Sequence, residues 1–190
     1  MVTGVTGAKA FIDDLRLGAP NRNILLERLR QLFKILSEYN MNINLSKCEF
    51  LKSQITYCGF VVDAFGLHKM KDKTDAIELM PQPKNKSEVR AFAGMINYYN
   101  RFIKNASILL KPLYEILRDD VPFKWTEKCE SAFIAAKRAF REKVCLAFYD
   151  PKLPLVMATD ASREACGGVL SHIMPDGSER PIKFISHLFN

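Results

Sequence analysis

Three times in succession between residues 87 and 140, hydrophobic residues recur at helical spacing, and on both sides of that stretch the spacing tightens to the alternation of strands. A period of 3.6 residues builds a stripe along a helix and a period of two builds a sheet face, so this order fixes a helical middle between two β-containing ends. The first of the three helices is capped by Ser87 and carries Val89, Phe92, Ile96, Tyr99 and Ile103 on its stripe. The second, over residues 105–117, turns Leu109, Leu110, Leu113 and Leu117 inward. Thr126 caps the third, on which Cys129, Phe133, Ala136 and Phe140 align. A shorter helix over residues 73–80 precedes them and stops at Pro81 and Pro83, which lack backbone donors.

The flanks read differently. Residues 10–18 form a hairpin whose turn is the acidic pair Asp13-Asp14. A helix follows over residues 21–39, started by Asn21 or Asn23 and ended by Asn40, with Leu25, Leu29, Leu32, Phe33 and Leu36 on one face. Strands are expected over residues 48–51 and 55–63, with a turn at Phe65-Gly66. At the other end, strands over residues 153–159, 166–174 and 181–187 make an antiparallel meander, with Pro175-Asp176-Gly177 as the turn between the last two. The fold class is α+β.

Composition excludes some functions. No run of about 18 apolar residues exists, so no membrane span is expected. The N-terminal stretch reaches its acidic pair before an apolar leader core could form, which gives an intracellular reading. Five cysteines without CxxC spacing and three scattered histidines argue against a disulfide framework or a zinc site. The formal charge of +7 suits a polyanionic partner without identifying one.

Two places carry carboxylates where chemistry needs them. Asp13 and Asp14 stand at the hairpin tip, and Asp160 stands at the end of the apolar run before Gly167-Gly168. Carboxylates of this kind suit Mg²⁺, a hard cation that prefers oxygen ligands. An acidic turn or a strand-end aspartate by itself is common and identifies nothing.

The order of segments does identify something. AFIDDLRLGAP resembles the Tyr-X-Asp-Asp hairpin of reverse transcriptases, with Phe11 at the aromatic position. NINLSKCEFLKSQITYCGFVVDAFGLHK resembles the stretch that follows it, and FAGMINYYNRFI resembles the thumb motif of gypsy-type LTR retrotransposon Pol polyproteins. FKWTEKCESAFIAAKRAF and DPKLPLVMATDAS resemble the connector and the first RNase H strand of the same elements. The likeness runs in family order over essentially the whole chain. It implies a partial reverse-transcriptase palm over residues 1–68, a helical thumb over 69–118, a connector over 119–150 and an incomplete RNase H-like meander over 151–190.

The resemblance also implies roles. Asp13 and Asp14 match two of the three polymerase metal ligands, and Asp160 matches the first carboxylate of the RNase H metal site. Tyr57, Cys58, Gly59 and Phe60 match the primer grip. Asn97, Tyr98, Asn100, Arg101 and Lys104 match a thumb face along the nucleic-acid backbone, and Lys47 matches a lysine near the leaving pyrophosphate. The implied cofactor is Mg²⁺. The implied partners are an RNA–DNA or DNA template–primer duplex, a dNTP in the intact parent, and the rest of the polyprotein; the implied places are virus-like particles in the cytoplasm, or the nucleus. The first polymerase aspartate and the later RNase H carboxylates are expected outside this chain, so the chain alone is expected to be inactive. Its rival is a host-retained, non-catalytic nucleic-acid-binding or assembly module. A third reading, an unrelated metal-dependent phosphatase or nuclease, leaves NYYNRFI unexplained.

Overall fold

A computed structural model describes residues 4–189; Asn190, the last residue of the ISHLFN segment, lies outside them. The chain divides into two compact units, residues 1–58 and 59–190.

The first unit is a hairpin on a helix. Strands β1 (Ala8–Phe11) and β2 (Asp14–Leu17) pair antiparallel, with Ala8 opposite Leu17 and Phe11 opposite Asp14. Alternation then gives the hairpin two faces. Ala8 and Leu17 pack against Val5, Leu32 and Leu36, the small core beneath it. Lys9, Phe11, Asp14 and Arg16 share the opposite face by the same alternation. Helix α1 (Arg22–Glu38) begins at Asn21, whose side chain accepts from the Ile24 N–H. Asn40 takes a left-handed backbone just past its end. Phe33 is exposed rather than inward, because the hairpin covers only the stripe of Leu32 and Leu36.

The strand expected at residues 48–51 does not form. Asn44 instead caps a 3-10 turn over Leu45–Lys47 by accepting from the Ser46 N–H, and Cys48 donates back to the Leu45 carbonyl. Phe50 and Leu51 then lie exposed, with Leu51 at positive φ. The strand expected over 55–63 is two strands, β3 (Ile55–Tyr57) in the first unit and β4 (Phe60–Val62) in the second. Cys58 and Gly59, between them, both have positive φ.

In the second unit β4 pairs antiparallel with β5 (Leu67–Lys69), a strand of three residues that the sequence did not signal. Asp63 accepts from the Phe65 and Gly66 N–H groups and so closes the turn between them. Helices α2 (Lys71–Leu79), α3 (Lys86–Tyr98), α4 (Ala106–Leu117) and α5 (Glu127–Arg141) follow. The cap of α3 is Asn85, not Ser87: Asn85 accepts from the Glu88 N–H while Glu88 reaches back, a reciprocal pairing that starts the helix two residues sooner. Helix α3 ends at Tyr98, and a 3-10 turn over Asn100–Phe102 carries the expected stripe on to Phe102 and Ile103. On α4 the fully inward residues are Ala106, Leu110, Leu113 and Ile116, leaving Leu109 and Leu117 half-buried at the stripe's margin. Thr126 caps α5 as expected, and Cys129, Phe133, Ala136 and Phe140 are all buried. The ring of Phe133 lies 4.6 Å from that of Phe92, joining α5 to α3.

Strands β6 (Leu155–Ala161), β7 (Ala165–Ile173) and β8 (Glu179–Leu188) form an antiparallel meander in that order, with an irregularity between Leu170 and Ser171. Its contact with the helices is made mostly by β8, with β7 and the β6–β7 turn beside it. Ser107 donates its N–H to the Ser186 hydroxyl and its own hydroxyl to the Ser186 carbonyl, and Lys111 pairs with Glu164 at 2.8 Å.

Candidate nucleic-acid interface

The acidic hairpin presents both carboxylates to solvent. Ile12 and Asp13 form the turn and Asp14 opens β2 opposite Phe11. Ile12 is 89% exposed with φ of 55°, a left-handed backbone that a β-branched residue adopts only under strain. The guanidinium of Arg16 lies over the Tyr57 ring, 5.0 Å from its centre. Asp14 and Arg16 are two apart on one strand and point the same way, so Tyr57 lies on the carboxylate side of the hairpin. Lys47 is exposed at the end of its 3-10 turn. Among the described residues no group of three His, Cys, Asp or Glu side chains is arranged to hold a metal ion. Asp160 is exposed within β6, one residue before its end, with Gly167 opposite.

In the second unit, Gly59 and Phe60 meet the tyrosine pair at the end of α3. Gly59 has φ of 70°, and a Cβ placed there would come 2.8 Å from the Tyr98 hydroxyl oxygen. The Tyr99 hydroxyl donates to the Gly59 carbonyl at 2.7 Å. Phe60 is buried: its ring stacks on Tyr98 at 5.3 Å and 7°, meets Tyr99 edge-on at 5.3 Å, and lies under the Arg101 guanidinium at 5.5 Å. Burial, with smaller contributions from Tyr98 and Asp72, pushes the Tyr99 phenol up to about 12. It is therefore a neutral donor at any ordinary pH.

The thumb-face residues divide. Tyr98, Asn100, Arg101 and Lys104 are exposed. Asn97 is exposed too, yet its amide is committed to α4: it donates to the Tyr114 hydroxyl at 2.7 Å and accepts from it at 2.9 Å. Lys86 donates to the Arg118 carbonyl, and Arg90 lies 4.0 Å from Asp119, so the start of α3 is tied to the end of α4. The outward charge of this face is carried by Arg101 and Lys104.

Two family models match the chain: reverse transcriptase (RNA-dependent DNA polymerase) over residues 7–62, and the RNase H-like domain found in reverse transcriptase over residues 125–190. The retrovirus-related Pol polyprotein of transposon 412 from Drosophila melanogaster is 31% identical over 189 residues, covering 98% of this chain. The chain belongs with the Pol polyproteins of retrotransposons. It spans 15% of the length of that relative, and 13% of the transposon Tf2-3 polyprotein of Schizosaccharomyces pombe, to which it is 30% identical over 176 residues. Among solved structures, the foamy viral protease–reverse transcriptase in complex with double-stranded DNA superposes with a TM-score of 0.87 at 25% identity, covering all of this chain and 33% of that one. The same viral protein in complex with an RNA/DNA hybrid gives 0.84 at 25% identity, covering all of this chain and 26% of that one.

This segment of a Pol polyprotein thus joins reverse transcriptase and RNase H-like sequence in one chain. Sequence reasoning placed Tyr99 only on an apolar stripe and missed its bond to Gly59. The signal available was the doubled tyrosine: adjacent positions on a helix face about 100° apart, so one ring can go inward while its neighbour covers the surface beside it. Lys69, lying over the Phe102 and Phe140 rings and donating to the Glu142 carbonyl, carried no signal at all.

Proposed function

We propose that this chain is the stretch of a gypsy-type LTR retrotransposon Pol polyprotein that grips the template–primer duplex, running from the end of the palm through thumb and connector into the RNase H-like domain. The boundaries of these parts follow the family resemblance, at about residues 68, 118 and 150. The parent activity is RNA-directed DNA polymerisation coupled to cleavage of the RNA strand. One observation carries the reading: the stacking of Arg16 on Tyr57 puts the first primer-grip residue on the same side of the hairpin as the Asp14 carboxylate. A polymerase needs that adjacency, since the primer terminus has to be held beside the metal ligands.

Asp13 and Asp14 supply oxygen ligands of the kind Mg²⁺ takes, and a third carboxylate from upstream in the polyprotein completes their set. A metal held by Asp13 and Asp14 would supply positive charge to offset that of the triphosphate in nucleotidyl transfer. Asp160 plays the corresponding part for RNA cleavage. Phe11, opposite Asp14, packs towards the primer with its ring. Arg101 and Lys104 contact phosphates, which position a duplex without reading its sequence.

Titrating a labelled RNA–DNA duplex by fluorescence anisotropy at several salt concentrations tests this. Binding weakens with salt at a log–log slope of roughly −0.9 per phosphate neutralised. Arg101→Gln and Lys104→Gln each flatten the slope by about one unit. Lys34→Gln and Lys152→Gln, on other exposed surfaces, leave it unchanged. Equal losses from both pairs would reduce the binding to the general attraction of a chain of charge +7.

A further inference from the structure

The tyrosine pair at the end of α3 has an arrangement that core packing alone does not require. Tyr99 is buried, yet its hydroxyl does not end in a hydrocarbon wall: it reaches across to β4 and donates to the Gly59 carbonyl at 2.7 Å. The adjacent Tyr98 is half-exposed, and its hydroxyl end occupies the space where a side chain at position 59 would begin. Its ring lies parallel to Phe60, which also contacts Tyr99 and Phe102. Gly59 itself sits at positive φ, a conformation that glycine adopts freely and that by itself leaves the backbone soft. Two rings and one hydrogen bond therefore hold a segment whose own sequence would leave it loose.

We propose that Tyr99 is a positioning residue for the primer terminus: with Tyr98 stacked beside it, it fixes the Gly59–Phe60 backbone at the height where the terminal nucleotide is held. This rests on the primer-grip reading given above. The bond is directional, so it sets where the Gly59 carbonyl points. Stacking alone would allow the backbone to slide along the ring plane. The buried phenol keeps its proton and so remains a donor at any ordinary pH. Arg101, over the Phe60 ring, connects the same assembly to the charged face. Loss of the Tyr99 hydroxyl would leave affinity in place, since the phosphate contacts lie elsewhere, while the terminus would lose its register.

The test uses the full chain and a primer–template duplex carrying 2-aminopurine either at the primer 3′ terminus or in the interior of the primer. Its fluorescence reports local stacking. Wild-type protein is expected to change the terminal signal far more than the interior one. Tyr99→Phe, which keeps the ring and removes the bond, is expected to hold Kd within about twofold and to lose at least half of the terminal response. Tyr114→Phe removes a comparable hydroxyl bond, to Asn97, and is expected to lose neither. An unchanged terminal response in Tyr99→Phe overturns this proposal alone, as do equal losses from Tyr99→Phe and Tyr114→Phe. Failure of the wild-type chain to bind duplex, or equal responses from the two probe positions, overturns the primer-grip reading and this proposal with it. If Tyr99→Phe does not fold, Tyr98→Leu makes the same comparison, because it removes the ring over Gly59 and leaves the Tyr99 bond; an unaltered terminal response there overturns the proposal too.

Discussion

Gly167, on the central strand of the meander, lies so close to Asn105 at the start of α4 that a Cβ at position 167 would come within 2.5 Å of the Asn105 side-chain oxygen. The glycine is there for the approach and not for its φ, which is ordinary. Gly167→Ala is expected to destabilise the second unit by about 1 kcal/mol, the cost of turning the end of the Asn105 side chain out of its rotamer, since every other atom near that Cβ lies at 3.7 Å. Asn105 has φ of 55°, so Asn105→Gly suits its backbone and removes the obstructing oxygen. Chemical denaturation of both single variants and the double variant makes the cycle. Additive losses, with no recovery in the double variant, would refute the steric account.

The same junction supplies a helix cap from a distance. Asn105 precedes α4 but its left-handed backbone keeps its side chain from capping, and the Ser107 N–H goes instead to the Ser186 hydroxyl on β8, 2.9 Å away. The first N–H groups of a helix have no partner within it. Ser186→Ala is therefore expected to cost about 1 kcal/mol, with the loss concentrated in earlier hydrogen exchange over the first turn of α4. Exchange there that matches the wild type would argue that water replaces the hydroxyl at no cost.

Those two contacts also mark where sequence reading stops. The stripes on α3 and α5 were legible because one buried face at a 3.6-residue period leaves a direct trace: Val89, Phe92 and Ile96 on α3, and Cys129, Phe133, Ala136 and Phe140 on α5, are all buried. The order of the candidate site was legible because acidic hairpin, glycine turn and tyrosine pair each keep their residues together in the chain. What could not be read was anything made between segments far apart. Ser107 meets Ser186 across 79 positions, and Lys69 reaches the Glu142 carbonyl across 73. Local propensity also erred where a polar side chain outbid it: Asn85 took the cap from Ser87, and Asn44 caps a 3-10 turn over residues 45–47 that ends on Cys48, the first residue of the strand expected over 48–51. Phe33 followed the helical period but lies outside the small core under the hairpin, since the hairpin is narrower than the stripe.

Ile12 at the hairpin tip offers a test of stored strain. A β-branched residue with a left-handed backbone costs roughly 1–2 kcal/mol, and at 89% exposure the side chain regains almost nothing by packing. Ile12→Asn, whose short polar side chain tolerates that conformation, is expected to slow hydrogen exchange across Ala8–Leu17 by several-fold. Faster exchange in the variant would mean that the isoleucine is held by contacts that outweigh its strain. Because the same turn carries Asp13, a stabilised tip that also lowers polymerase activity in the full-length parent would indicate that the strain serves the site.

Lys69 gives the clearest dependence on pH. Burial lowers its pKa from the ordinary 10.5 to about 8, and the nearby Glu142, which favours the charged form, offsets only part of that. Its ammonium also lies over the rings of Phe102 at 5.6 Å and Phe140 at 5.0 Å, contacts that favour the charged form as Glu142 does. The sign follows from proton counting. In the unfolded chain the lysine stays protonated up to about pH 10.5, whereas in the folded chain it releases its proton above about pH 8. The penalty of burying the charge is thus fully present below pH 8 and relieved as the pH climbs towards 10.5. Lys69→Met keeps an unbranched chain over the rings and cannot titrate. The stability of the wild type relative to this variant is expected to be flat between pH 6 and 7.5 and to rise from about pH 8 to 9.5. Taking the difference cancels the titrations of Tyr99 and Cys145, whose pKa values are both raised and which oppose the trend in each protein separately. Urea denaturation of both proteins at half-unit pH intervals measures it. A difference that falls as the pH rises would show that the rings and Glu142 hold the ammonium more strongly than burial penalises it.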